Sequence, residues 1–129
     1  MFEEIKYFWQ RGKRGYSDRD LWNFGDYLGD IIPPALRELT KRHCGCPADL
    51  YDRKKVNNEC HKWEKVLEEI AQGFEAANEI ESSLGCSYKK ELKDGAITYK
   101  YNQKKAKLLT EKFNRGMDLF KKYFFNLWD

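Results

Sequence analysis

Residues Asn58 to Leu84 read NECHKWEKVLEEIAQGFEAANEIESSL. Within this stretch Trp63, Val66, Leu67, Ile70, Phe74, Ala77 and Ile80 recur at steps of three and four, while Glu, Lys and Gln fill the remaining positions. Side chains spaced this way share one face of a 3.6-residue helix, so the stretch predicts a long amphipathic helix whose apolar stripe needs cover. Gly85 follows it as a natural terminator, because glycine enters the left-handed conformation without steric cost.

The cover must come from elsewhere in the chain. Toward the C-terminus, about Gln103 to Trp128, a second stripe runs through Ala106, Leu109, Phe113, Met117, Phe120, Phe124 and Leu127, widened by Leu108, Tyr123 and Trp128. Its other face is rich in lysine, from Lys104 to Lys122. Toward the N-terminus, Leu21, Phe24, Leu28, Ile31 and Ile32 form a third stripe with Trp22 beside it. Ser17 or Asp18 is placed to accept the first free helix N–H groups, and Asp20 suits the positive end of the helix. Pro33-Pro34 removes two backbone donors and disfavours helical backbone just ahead of it, so a break or kink is expected there. Ala35, Leu36 and Leu39 then resume the face to about His43. Cys44 to Asp49 carries Gly and Pro punctuation and reads as a loop, and Asp49 to Lys55 is too polar and irregular to assign. Between Cys86 and Asn102 the period changes: Ile97, Tyr99 and Tyr101 alternate with polar residues, and Asp94-Gly95 signals a turn. The expectation is a short β-hairpin over 87–101, with a helical extension stopped at Gly95 as the alternative.

Three such stripes bury against one another, and removal of apolar area from water, at about 25 cal/mol per Å2, is the dominant folding term. The expected fold is therefore mainly all-α: a single domain over 1–129, a bundle of three to four amphipathic helices with a small hairpin insertion. No fixed-period repeat and no long linker divides the chain. With 41% hydrophobic and 35% charged residues the chain is neither disordered nor membranous. No apolar run approaches the roughly 20 residues that span a bilayer, so no membrane partner is expected. The formal net charge of +3 comes from 24 basic and 21 acidic residues well interspersed, which leaves nucleic acid unsupported. The opening Met1-Phe2-Glu3-Glu4-Ile5 lacks the pattern of a secretory signal, so a cytoplasmic location and reduced cysteines are expected. A homo-oligomer is left open, and no cofactor is expected.

Reduced cysteines raise the question of metal. Cys44, Cys46, Cys60 and His61, with His43, offer borderline-soft ligands, and zinc takes four such groups. The spacing argues against it: Cys-x-Cys is a poor chelating pair, and the adjacent Cys60 and His61 diverge on a helix. A Cys–His nucleophile built from the same residues would need an activating geometry that adjacency does not supply. Asp18 with Asp20, or Asp26 with Asp30, are carboxylate pairs of the kind found on ordinary helix surfaces. No dinucleotide-binding glycine motif, phosphate-binding loop or nucleophile elbow is present, so the common nucleotide-dependent and hydrolytic enzymes lose support and a non-enzyme is expected.

The most pointed constellation lies at the start of the chain. In Trp9-Gln10-Arg11-Gly12-Lys13-Arg14-Gly15-Tyr16-Ser17-Asp18-Arg19-Asp20-Leu21-Trp22, guanidinium groups, aromatic faces and a helix start coincide. Arginine forks suit phosphate or carboxylate, and aromatic faces stack on rings or pack at an interface. Arg11, Arg14, Tyr16, Asp18, Arg19, Asp20 and Trp22 are accordingly the candidate partner- or ligand-binding residues. The plain alternative is a solvated basic approach to a helix.

The set Arg14-Gly15-Tyr16-Ser17-Asp18-x-Asp20-x-Trp22, Tyr27-Leu28, Leu36-x-x-Leu39, Gly45-x-Pro47, Trp63-x-x-x-Leu67-x-x-Ile70-x-x-Gly73-Phe74 and Leu119-Phe120-x-x-Tyr123-Phe124-x-x-Leu127-Trp128 resembles a group of small uncharacterised proteins encoded by tailed bacteriophages and prophages. The resemblance covers most of the chain outside about 82–102. It implies synthesis in an infected bacterium and a role in binding a host protein, countering defence, or alternatively in sequestering a phosphorylated nucleotide signal.

Overall fold

The computed structural model describes residues 1–51, 54, 60–82 and 84–128. Among the described residues there are four helices and one hairpin: α1 (Phe2–Arg14), α2 (Phe24–Arg42), α3 (His61–Glu81), β1 (Ser87–Glu91), β2 (Ile97–Tyr101) and α4 (Gln103–Tyr123), with single 3-10 turns at Asp20–Asn23, Ala48–Leu50 and Phe124–Asn126. The mainly α fold with a small hairpin is the expected one.

The opening stretch of sequence becomes the centre of the molecule. α3 packs against α2 on one side and α4 on the other. Both neighbours run antiparallel to it: Asn78 meets Asp26 while His43 meets Glu64, and Lys105 meets Glu79 while Tyr123 meets Trp63. Trp63, Leu67, Ile70, Ala71 and Phe74 from α3 join Leu36 and Tyr123 as the buried core. Aromatic edges lock the α3–α4 seam, with Trp63 to Tyr123 at 5.5 Å and Phe74 to Phe120 at 5.4 Å between ring centroids. At the crossing the backbones touch: a Cβ built on Gly116 would lie 2.7 Å from the Gly73 Cα. The expected start of α3 at Asn58 falls outside the described residues, as do 52, 53 and 55. Its end comes at Glu81, ahead of Leu84.

α2 departs from expectation in two respects. It does not end at Pro33-Pro34 but runs on to Arg42. The two missing donors and the ring clash are real costs, but Pro33 is fully buried and Leu36 is in the core, so packing against α3 outweighs them. The second departure is at its start. Leu28 and Ile32 pack on the core, but Leu21, Trp22, Phe24 and Ile31 are exposed. The chain from Asp20 to Asn23 is a 3-10 turn, which breaks the 3.6-residue phase, and residues before Asp26 run past the end of α3.

The largest omission in the sequence reading is α1. What looked like a basic approach segment is a 13-residue helix, and none of its residues is buried. The hairpin forms over 87–101 as expected, pairing Ser87 with Tyr101 and Glu91 with Ile97. Gly95 turns at φ 82, and Asp94 accepts a hydrogen bond from the Ala96 N–H. It stands clear of the bundle, with no residue buried. Among the described residues no helix is long and apolar enough to cross a membrane.

Candidate functional site: the clasp at the start of the chain

Gly15, at φ 85, ends α1 in the left-handed conformation that glycine reaches cheaply, and the chain doubles back along the helix. Ser17 and Asp20 then close a reciprocal capping box. The Ser17 N–H donates to Asp20 Oδ2 at 2.7 Å, and the Asp20 N–H donates to Ser17 Oγ at 3.3 Å. The helix start expected at Ser17 or Asp18 lies further on: α2 begins at Phe24 and its cap is Asn23, whose side chain accepts a hydrogen bond from the Asp26 N–H, while Ser17 serves the turn before it. Ser17 and Asp20 are buried, although both are polar.

Asp20 has a second role. Arg11 grips it with both arms of the fork, Nε to Oδ2 at 2.8 Å and Nη2 to Oδ1. The Arg11 guanidinium, then the Ser17 groups, hold the Asp20 carboxyl far below the usual carboxylate range. One turn on, Arg14 donates to Asp18 and to the Tyr16 carbonyl. Gln10 and Asp18 exchange a pair of bonds, Gln10 Nε2 to Oδ2 at 2.8 Å and the Asp18 N–H to Gln10 Oε1 at 2.9 Å. Gln10, followed by Arg14, lowers the Asp18 carboxyl as well. Lys6 lies 3.6 Å from Asp18, and the Tyr27 hydroxyl donates to the Gly15 carbonyl at 2.6 Å.

The structure therefore brings Arg11, Arg14, Tyr16, Asp18 and Asp20 together, but toward one another. The arginines expected to hold an anion are engaged with carboxylates of the same segment, and what they secure is α1. Arg19 and Trp22 stand apart from this clasp and are exposed, Trp22 at 89%. They border an open groove of about 360 Å3 lined also by Asn23, Asp26, Tyr27 and Asp30. With Arg11 and Asp20 cancelling, the groove holds one free cation against two carboxylates among its described lining residues. Asn78 from α3 donates to the Asp26 carbonyl at 3.2 Å and fixes that wall. Asp26 and Asp30 do share a face, as their spacing suggested. Tyr27 and Asn78 were missed: Tyr27 carries no sequence signal for the clasp, and Asn78 comes from an element fifty residues away.

The cysteine region is arranged differently. Cys46 and Cys60 approach to 2.6 Å between sulfurs, inside ordinary sulfur contact, with Cys60 in a left-handed conformation at the head of α3. Burial, followed by the neighbouring Cys60, pushes the Cys46 thiol up to about 11. Cys44 is exposed, and His61 turns to Glu64 at 3.3 Å. The His43 ring lies between two acceptors, Gly45 O at 2.9 Å from Nδ1 and Glu64 Oε1 at 3.3 Å from Nε2, rather than against a thiol. Among the described residues no three His, Cys, Asp or Glu side chains converge on a metal position.

A comparison with known protein families, with curated proteins and with solved structures finds no match to this chain.

Proposed function

We propose that this chain is a phage-encoded, non-enzymatic protein that binds a bacterial protein in the host cytoplasm, and that the groove beside Trp22 is its contact surface. The observation that carries the reading is Trp22 itself, 89% exposed on the rim of an open groove. Tryptophan is the residue type most enriched among binding hot spots, because burying it removes much apolar area and leaves one N–H to be satisfied. The surrounding backbone is held by the Ser17–Asp20 box and by Arg11, so the indole is presented on a preorganised platform. Asp26 and Asp30 favour a partner surface that brings a lysine or arginine against an aromatic anchor.

The resemblance to small phage proteins supplies the setting. The alternative, an anionic nucleotide held by the same segment, loses its arginines to Asp18 and Asp20 and would face the carboxylates of the groove. The test is site-specific photo-crosslinking from position 19, on the same rim, in bacterial lysate, with Trp22 intact, with Trp22→Ala and with Asp30→Lys. Loss of the crosslinked species in both variants, with helical content unchanged, supports the reading. Equal capture by all three moves the contact surface elsewhere, and a nucleotide released on denaturing the purified protein supports the alternative.

A further inference from the structure

α1 sits on the molecule inside out. The side chains that attach it, Lys6, Gln10, Arg11 and Arg14, are polar and face the clasp. Its apolar side chains face away: Met1, Phe2, Ile5, Phe8 and Trp9 are 87, 85, 59, 80 and 62% exposed. Their spacing places them on one stripe, which ends at Gly12. The three rings alone carry roughly 150–250 Å2 each. A continuous stripe of this size on a surface helix calls for an occupant.

We infer that the occupant is a second copy of this chain, and that two α1 helices pair antiparallel across a two-fold axis near Phe8. The helix is complementary to its own reverse. Antiparallel pairing sets Phe2 opposite Gly12, where a Cβ would meet nothing within 4 Å, so the largest side chain at one end faces the smallest at the other. Ile5 falls opposite Trp9, and Phe8 beside its copy. The charges follow the same logic: the first turn is acidic, Glu3 and Glu4, and the last turn is basic, Arg11, Lys13 and Arg14. Glu3 and Glu4 enter no ion pair among the described residues, and in the pair Glu4 lies one residue from level with the partner's Arg11, whose guanidinium has five donors and spends two on Asp20. Two stripes together remove on the order of 1,000 Å2 or more from water, the lower bound for a specific interface. The isologous geometry uses each contact twice. This surface is separate from the groove at Trp22, so the two inferences stand or fall independently.

The experiment is light scattering coupled to size exclusion on the full chain, wild type against Phe8→Glu and Glu4→Arg. Wild type is expected at the mass of two 15.4 kDa chains. Phe8→Glu, which brings two carboxylates together at the axis, is expected at one chain with unchanged circular dichroism, since the site is exposed. Glu4→Arg is expected to dissociate at a higher concentration than wild type, with the difference shrinking in high salt. A wild-type mass of one chain, or a dimer that survives Phe8→Glu, overturns the inference. A single-chain mass together with sedimentation on vesicles of phosphatidylcholine and phosphatidylglycerol assigns the stripe to a membrane surface and overturns it too.

Discussion

Replacement of Gly116 by alanine tests the α3–α4 crossing, on which the rest of the fold depends. A Cβ at this position would lie 2.7 Å from the Gly73 Cα and 3.1 Å from the Glu69 carbonyl oxygen, and both obstacles are backbone. Non-bonded carbons prefer about 3.5–4.0 Å, so the helices must part by most of an ångström along a seam that also holds the Trp63–Tyr123 and Phe74–Phe120 contacts. Overpacking costs about 1–3 kcal/mol, and contact with backbone, which has no rotamer to yield, belongs at the upper end. Alanine returns up to about 1 kcal/mol of helix propensity. The net expectation is a loss of about 2 kcal/mol, a fall in Tm of roughly 5–10 °C for a chain of this size. Thermal and urea unfolding followed by circular dichroism measure it, with the urea slope unchanged if only the folded state is affected. Gly25→Ala is the control: it is also a helical glycine, but its Cβ would meet only the Asn23 side chain at an ordinary 3.7 Å, so it should melt no lower than wild type. A Gly116→Ala protein as stable as wild type would mean that the backbones are not in contact and that the crossing is wrongly described.

Other perturbations follow from the same coordinates. Asp20→Asn should release α1 while leaving the core intact, seen as faster hydrogen exchange in α1 and faster tryptic cleavage after Lys13 and Arg14; unchanged exchange would deny the clasp its role. Because Arg11 and Ser17 lower the Asp20 carboxyl, the clasp should hold fully above about pH 4 and fail as pH falls through the lowered value, so α1 protection should drop in acid before the core unfolds. A thiol oxidant such as oxidised glutathione should join Cys46 to Cys60, the two thiols giving up two protons and two electrons. The product should be two mass units lighter, absent in Cys46→Ser, and more stable by about 3 kcal/mol for a loop of this length. Its formation should quicken as pH rises toward the raised Cys46 value of about 11. Trp22→Ala should change stability by less than about 0.5 kcal/mol, since the indole is exposed; a larger loss would make it a structural residue and remove it as an anchor.

The fold was legible where burial decides it. The period in Trp63 to Ile80 found α3, the stripe from Leu109 to Met117 found α4, and the alternation from Ile97 to Tyr101 found β2, because each pattern reflects the neighbours the side chains meet. α1 carries an equally regular stripe, Phe2, Ile5, Phe8 and Trp9, but Gly12 and Gly15 set among arginines drew attention to the chemistry of the segment rather than its period. Pro33-Pro34 misled because local backbone cost is visible in sequence while the burial of Pro33 against α3 is not. In the candidate site the residue types were readable and their direction was not. Arginine beside aspartate reads equally as a surface for a ligand and as a closed internal pair, and only the left-handed turn at Gly15 folds Asp18 and Asp20 back onto Arg14 and Arg11.

Among the described residues the side-chain bonds that hold α1 lie between Lys6 and Asp20, joined by the hydroxyl of Tyr27. Loops so short close with little chain entropy, so this arm forms from one continuous stretch of chain and needs neither α3 nor α4 in place. The row of Phe2, Phe8 and Trp9 is consequently carried by a unit that closes on neighbouring residues alone, so its shape does not wait on the assembly of the three-helix core, and a variant that loosens the core should still display it.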